Sequence, residues 1–203
     1  MKIFRHRGWL GRRCVSSVVV ALLCQAAGAQ SSRVTLHFDP AATEIHWTLS
    51  GSVHTTHGTF KLKGGLVTFD PATGAATGEL LVDLASGDSE NADRDAKMQR
   101  DVLQSNKYPE AFFHPTKVTG TLKSGATQTV STEGTFNIHG ADHALKLDVD
   151  VKLEGTQATL TTHFRVPYVA WGMKDPSTFV LRVGKEVDVD VVAHGTIEGL
   201  PAK

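Results

Sequence analysis

Cysteine is almost absent from this sequence of 203 residues, and both copies, Cys14 and Cys24, lie close to the N-terminus. The rest of the chain therefore offers no disulfide, no cysteine-ligated metal and no cysteine nucleophile. Linkers rich in proline, glycine or serine are missing too, as are charge blocks, low-complexity runs and internal repeats. An uninterrupted chain of this length predicts a single domain over residues 33–198.

Residues 1–29 have the composition of a signal peptide. Five basic residues and no acidic one are followed by the apolar stretch 15–23, which is too short to span a bilayer. An A-x-A site at 27–29 predicts cleavage before Gln30, and therefore a periplasmic or secreted protein. Lipid attachment at Cys24 is a weaker alternative, because the bulky Leu23 precedes it.

Little excess charge of either sign is present. Without the five basic residues of the signal peptide, 16 basic side chains face 21 acidic ones, a net charge of −5 with histidine neutral. A mildly acidic chain is a poor match for nucleic acid or for an anionic membrane surface. We expect neither a nucleic-acid partner nor an integral membrane protein.

What the chain does contain is alternation of apolar and polar residues. The clearest run is 145–153, with Leu or Val at every odd position and Lys or Asp between them. Such a pattern is typical of strands with one buried face, and it favours antiparallel pairing. Further strands are predicted at 58–70, 77–86, 111–123, 127–139, 177–183 and 186–197.

Three turn sequences predict hairpins that place apolar residues opposite one another. The turns and the pairs they imply are Gly155-Thr156 with Leu153/Ala158, residues 140–143 with Ile138/Leu145, and residues 40–43 with Phe38/Ile45. Three hairpins that agree with the alternation support a meandering sheet.

About eight strands in such a meander predict an all-β, antiparallel, up-and-down barrel, because closure removes exposed edges. A β-sandwich is the alternative. One short helix is predicted at about 89–106, where Met98 and Val102 lie one turn apart and Tyr108-Pro109 ends the segment. A helix in this position suits the mouth of a barrel.

Motifs for catalysis or metal binding are weak. His54 and His57 are three residues apart, but no second spaced pair accompanies them. The sequence also lacks a G-x-S-x-G nucleophile motif, and its paired carboxylates occupy outward strand positions. We therefore expect no metal, no cofactor and no catalytic residue.

Seven short segments follow one another along the chain in a characteristic order and spacing. They are HTTHGTF at 54–60, GLVTFDP at 65–71, RDAKM at 94–98, YPEAFF at 108–113, GTFNIHG at 134–140, PYVAWGM at 167–173 and VDVDV at 187–191. In these segments the chain resembles the YceI-like family of periplasmic polyisoprenoid-binding, lipocalin-like proteins. The resemblance implies a barrel whose apolar tunnel holds a long isoprenoid or another long-chain amphiphile and catalyses no reaction.

The alternation along the strands predicts which side chains face the barrel interior, and these are candidate ligand-binding residues. They are Phe38, Trp47, Phe60, Phe69, Leu80, Val82, Phe136, Leu147, Val149 and Phe164. On the helix, Arg94 and Lys97 are candidates for contact with a head group. Lys97 stands where the family has histidine, which implies a preference for an anionic head.

Two other functions are consistent with the same sequence. One is a structural or stress-response module whose barrel is filled by its own side chains, and the other is a periplasmic enzyme without a recognisable motif. The native ligand, a delivery partner and a homodimer are left open by the sequence.

Overall fold

The computed structural model describes residues 33–200, which form strands and one short helix. The strands are β1 (Val34–Phe38), β2 (Glu44–Leu49), β3 (Thr56–Phe69), β4 (Ala76–Asp88), β5 (Glu110–Thr119), β6 (Thr127–Ile138), β7 (Ala141–Glu154), β8 (Gln157–Val166) and β9 (Val187–Glu198). Between residues 33 and 200, no helix is both long and apolar enough to cross a bilayer. The predicted signal peptide, residues 1–29, lies outside the described residues.

Eight strand positions, which we call staves, close the barrel, because β1 and β2 occupy the same position one after the other. β1 pairs with the C-terminal part of β3 and the end of β9, and β2 pairs with the N-terminal part of β3 and the start of β9. Both run antiparallel to the same two neighbours, so they form one interrupted stave. The pairs from β3 through β9 complete the ring. The predicted up-and-down barrel is confirmed, and the sandwich is excluded.

The hairpin predicted at residues 40–43 is wrong. Hydrogen bonds to Asp39 hold a turn at this point, but the turn interrupts the stave instead of reversing the chain. Phe38 consequently pairs with Gly195 of β9 and not with Ile45. Turn residues show where a strand stops, and they do not show the direction in which the chain continues.

The register predicted between β6 and β7 is also wrong. The turn consists of His139 and Gly140, both with positive φ (55° and 76°), so Ile138 pairs with Ala141 and not with Leu145. Positive φ at both central residues is the requirement of a type I′ hairpin turn. The partner moves by an even number of residues, so the inward face is unchanged.

Two other predictions about the strands have opposite outcomes. The turn at Gly155-Thr156 is confirmed, with Leu153 opposite Ala158. The strand predicted at 177–183 is absent, because residues 167–186 form a loop whose apolar residues find no strand partner. Its one ladder contact is an isolated bridge from Val183 to Gly51.

One end of the barrel is filled by its own side chains, and we call it the closed end. Its buried residues include Val34, Leu36, Phe69, Val130, Leu147, Val149, Val151, Leu153 and Ile197. Leu153 and Val34 have no exposed surface. Dense packing of aliphatic side chains from staves around the ring makes this end a conventional hydrophobic core.

The helix lies across the other end. Helix α1 (Ala92–Lys97) continues into a π-helical segment, Met98–Leu103, and we call the two together the mouth helix. The side chain of Asn91 caps it by accepting a hydrogen bond from the backbone N–H of Arg94, at 2.9 Å. Gln104, in a left-handed conformation, ends it. The helix predicted at 89–106 is confirmed.

Candidate functional site

Beneath the mouth helix, the barrel encloses an apolar cavity of about 380 Å³. Such a volume lies within the range of about 300–1,000 Å³ that is usual for small-molecule sites. The wall combines strand residues with Met98, Val102 and Leu103 of the mouth helix and Tyr168 and Met173 of the loop 167–186. The space is a pocket at one end of the barrel, because the closed end is packed.

Seven of the predicted ligand-binding residues line this cavity. They are Trp47, Phe60, Val82, Arg94, Lys97, Phe136 and Phe164. Aromatic contacts join several of them: the Phe136 and Phe164 rings meet edge to face at 6.2 Å, and the Trp47 and Phe60 rings are 6.3 Å apart. The aromatic residues therefore line the wall as two contacting pairs.

The other five predicted residues lie outside the cavity. Phe69, Leu147 and Val149 are buried in the core of the closed end, and Phe38 packs against that core. Leu80 sits near Phe38, since both would contact a Cβ built at Gly65. Alternation along a strand tells which side chains point inward, but it carries no information on their depth along the barrel axis.

Glycine permits the close packing of Trp47. A Cβ placed at Gly58 would collide with the indole ring of Trp47 and with the carbonyl oxygen of Asp88. Gly58 pairs directly with Trp47 across β2 and β3. The glycine of the segment HTTHGTF therefore lets a buried indole lie against the strand that forms the cavity wall.

A polar network anchors the start of the mouth helix. Nε of Arg94 donates to Oγ of Ser89 at 2.7 Å, its Nη2 donates to the carbonyl of Ser89, and the Ser89 hydroxyl donates to the carboxylate of Asp95. Ser89 is buried, so these bonds supply partners that water does not. Arg94 is thus a positioning residue for the helix as well as part of the cavity wall.

Lys97 differs from Arg94 in having no fixed partner. Within residues 33–200 its ammonium makes no hydrogen bond or ion pair; Asp101 pairs with Arg100, and Lys97 adds only a smaller electrostatic attraction to that carboxylate. Lys97 lines the cavity and is exposed. Its charge is therefore available to a ligand at the opening of the cavity.

The loop 167–186 supplies part of the cavity wall, and it includes residues 177–183, which the sequence predicts as a strand. The hydroxyl of Tyr168 donates to the carbonyl oxygen of Gly184 at 2.8 Å, and the N–H of Met173 donates to the carbonyl of Tyr168 at 3.0 Å. Burial, with a smaller effect of Asp175, raises the pKa of Tyr168 to about 12. The phenol is therefore neutral and serves as a structural donor.

Exposed residues border the opening of the cavity. On one side are Ser52, Val53 and His54, and facing them in the loop are Leu181 and Arg182. The role of these loop residues was not predicted from the sequence. An apolar triplet directly after Pro-Ser-Thr can lie in a turn as well as in a strand.

The two histidines of the weak metal motif have separate surroundings. His54 lies at the opening, whereas His57 contacts Oγ1 of Thr48 through Nδ1 at 3.0 Å. In the part of the chain that the structure describes, no three His, Cys, Asp or Glu side chains are grouped to hold a metal ion. His54 is therefore a residue of the cavity rim, and His57 lies on β3 opposite β2.

Comparison with known proteins gives a consistent picture. The sequence model of the YceI-like domain matches residues 36–194. A search of curated proteins finds no match. Among solved structures, BcnA of Burkholderia cenocepacia superposes with a TM-score of 0.63 at 19% identity, covering 77% of this chain and 98% of that chain.

Two further structures share the fold. A polyisoprenoid-binding domain from Saccharophagus degradans, implicated in plant cell wall breakdown, has a TM-score of 0.60 at 15% identity, covering 80% of this chain and 98% of its own. The YceI protein of Campylobacter jejuni has a TM-score of 0.51 at 17% identity, covering 65% of this chain and 79% of its own. At these identities the likeness concerns the fold.

Proposed function

The chain belongs to the YceI-like family, and from that premise we propose that its cavity binds a polyisoprenoid or another long-chain amphiphilic lipid and catalyses no reaction. One observation carries the proposal: an apolar cavity lies at one end of a barrel whose other end is packed. Transfer of apolar ligand surface from water into such a cavity contributes roughly 25 cal/mol per Å², so few polar contacts are needed.

The distribution of charge supports an amphiphile with an anionic head. The cations of the cavity wall, Arg94, Lys97 and Arg182, come from the mouth helix and the rim, while the deeper wall is aliphatic and aromatic. A ligand would place its chain among Phe136, Phe164 and their neighbours and its head near Lys97. A phosphate head would suit the ammonium group there, which has no hydrogen-bond partner among the described residues.

Two structural features favour binding over the other functions considered. A self-filled structural module would have no internal cavity, whereas here the buried residues of the open end, among them Leu84, Phe136 and Met173, surround one. The buried phenol of Tyr168 is engaged with a backbone carbonyl, and Arg94 is engaged with Ser89. These groups hold the wall in place, which supports a binding site and gives no support to an active site.

We also place this function outside the cytoplasm, in the periplasm or the surrounding medium. The composition of residues 1–29 supports export, and a lipid that must cross an aqueous space needs a carrier there.

The test compares one substitution at the two ends of the barrel. Lipid extracted from gently purified protein and identified by mass spectrometry is expected to contain a polyprenyl or long-chain compound. Val82→Phe adds a ring to the cavity, so we expect loss of most of the bound lipid with a nearly unchanged melting temperature. The matched control, Val149→Phe in the closed end, should overpack the core and lower the free energy of unfolding by about 1–3 kcal/mol.

The opposite pattern would contradict the proposal. If wild-type extracts contain no lipid and Val82→Phe destabilises the protein as strongly as Val149→Phe, the open end is a filled core. The structural-module function would then be favoured.

A further inference from the structure

A short turn beside the cavity exposes large apolar side chains to solvent. The N–H of Thr178 donates to the carbonyl of Leu181 at 2.8 Å, and the N–H of Leu181 donates to Oγ1 of Thr178 at 3.0 Å. At the tip of the turn, Phe179 is 95% exposed and Val180 is 79% exposed. Neither hydrogen bond involves the side chain of Phe179 or Val180, so these two side chains are not needed to form the turn.

The turn is fixed to the barrel rim at its base. The N–H of Ser52 donates to the carbonyl of Arg182 at 2.8 Å, and the N–H of Val183 donates to Oγ of Ser177 at 3.1 Å. Val53, next to Ser52, is itself 72% exposed. The rim therefore presents a protruding group of four apolar residues, which we call the mouth patch: Val53, Phe179, Val180 and Leu181.

The mouth patch is continuous with the cavity. Two residues of the patch, Val53 and Leu181, line the cavity wall. Thr178, which precedes Phe179, lines it as well. An apolar surface thus runs from the interior of the barrel to the exposed tip at Phe179. A lipid leaving the cavity along this side would pass over apolar side chains.

We propose that the mouth patch inserts into the interfacial region of a lipid bilayer, so that the cavity opens toward lipid and not toward water. A phenylalanine flanked by aliphatic residues on a fixed turn suits the boundary between head groups and acyl chains. A second copy of the chain is a poorer occupant, because a stable dimer buries about 800 Å² per partner, and a single protruding turn offers far less. The inference goes beyond ligand binding and is tested independently of it.

Charge has a secondary role in this docking. Arg182 and Lys185 flank the turn, but Asp175 offsets part of their charge. The pKa of Asp175 is lowered mainly by its hydrogen bonds with Ser177 and to a smaller extent by these two cations. The sequence without residues 1–29 carries a net charge of −5. We therefore expect binding to zwitterionic bilayers, with weak dependence on salt.

The experiment measures co-sedimentation of the protein with vesicles of phosphatidylcholine and phosphatidylethanolamine. The variant Phe179→Ser/Val180→Ser removes the tip, and we expect its partition coefficient to fall by about tenfold or more. The control Leu66→Ser changes an exposed leucine on β3, away from the mouth patch, and should partition like the wild type. Melting temperatures establish that both variants are folded.

Binding of dansyl-labelled geranylgeraniol in detergent separates docking from ligand binding. A double variant that keeps this probe but loses vesicles supports the proposal. Vesicle binding without probe binding in the wild type also supports docking, while it counts against the proposed function. The docking proposal is overturned if the wild type does not bind vesicles or if the double variant partitions like the wild type. It is also overturned if the wild type is a dimer that the double variant converts to monomer.

Discussion

At the scale of single residues, Tyr168 connects the loop after β8 to the barrel. It is buried, its hydroxyl donates to Gly184, and its carbonyl accepts from Met173. A buried phenol is costly unless it has a partner. The position of one side chain therefore sets the position of a loop that supplies both a wall of the cavity and the mouth patch.

Tyr168→Phe should lower the free energy of unfolding by about 0.5–1.5 kcal/mol near neutral pH, because one buried hydrogen bond is lost. Burial raises the pKa of Tyr168 from its ordinary value of 10.0 to about 12. Between those values the unfolded chain releases the phenolic proton more readily than the folded one, so this contribution to stability is complete below pH 10 and is lost as the pH rises.

Urea unfolding at pH 9 and pH 11 checks this expectation. The wild type should lose more stability over that interval than Tyr168→Phe does. Parallel losses in the two proteins would show that Tyr168 ionises equally well in the folded and unfolded states.

At the scale of elements, the mouth helix is held against β4. Gln99 Nε2 donates to the carbonyl of Leu84 at 2.7 Å. A Cβ at Gly87 would lie 2.6 Å from the ring of Phe60 and 2.7 Å from Cε of Met98. Close packing of the Phe60 and Met98 side chains against the strand therefore depends on a glycine at this position.

Gly87→Ala should displace the mouth helix. We expect a loss of about 1–3 kcal/mol in the free energy of unfolding, as for other overpacked sites, and faster amide exchange in residues 92–103. Gly64→Ala is the matched control, because it lies in a neighbouring strand with nothing within 4 Å of the added methyl group. Equal stability of the two variants would show that the helix accommodates the methyl group without moving.

At the scale of the whole molecule, the barrel has two ends with different roles. The closed end provides a packed core of long aliphatic side chains, and the open end leaves space beneath the mouth helix. This division explains how one barrel combines stability with an internal cavity. A second group of buried residues surrounds the cavity, so substitutions there are expected to preserve stability only at partly buried positions such as Val82.

Export is the remaining whole-molecule prediction. The basic and apolar composition of residues 1–29 and the site at 27–29 lead us to expect a mature protein that begins at about Gln30. Intact-mass analysis of the protein recovered from the periplasm or medium tests this directly. A mature form that retains Cys24 with an attached diacylglycerol would instead identify a lipoprotein.

The sequence by itself determined the fold class and the inward faces. Alternation along runs such as 145–153 requires one buried face per strand, and an even shift in register, as between β6 and β7, leaves that face unchanged. The chain also marked its helix, through Met98 and Val102, and its family, through short segments whose glycines and aromatics meet in the fold, as Gly140 and Tyr108 do.

Only the tertiary structure decided where along the barrel each inward residue lies. The alternation along their strands predicts that Phe136 and Leu147 both face inward, yet one lines the cavity and the other fills the closed end. Depth depends on how staves are staggered around the ring, which is a property of pairs of distant strands. For the same reason the interrupted stave of β1 and β2 and the exposed turn at Phe179 became visible only when the strands were closed into a barrel.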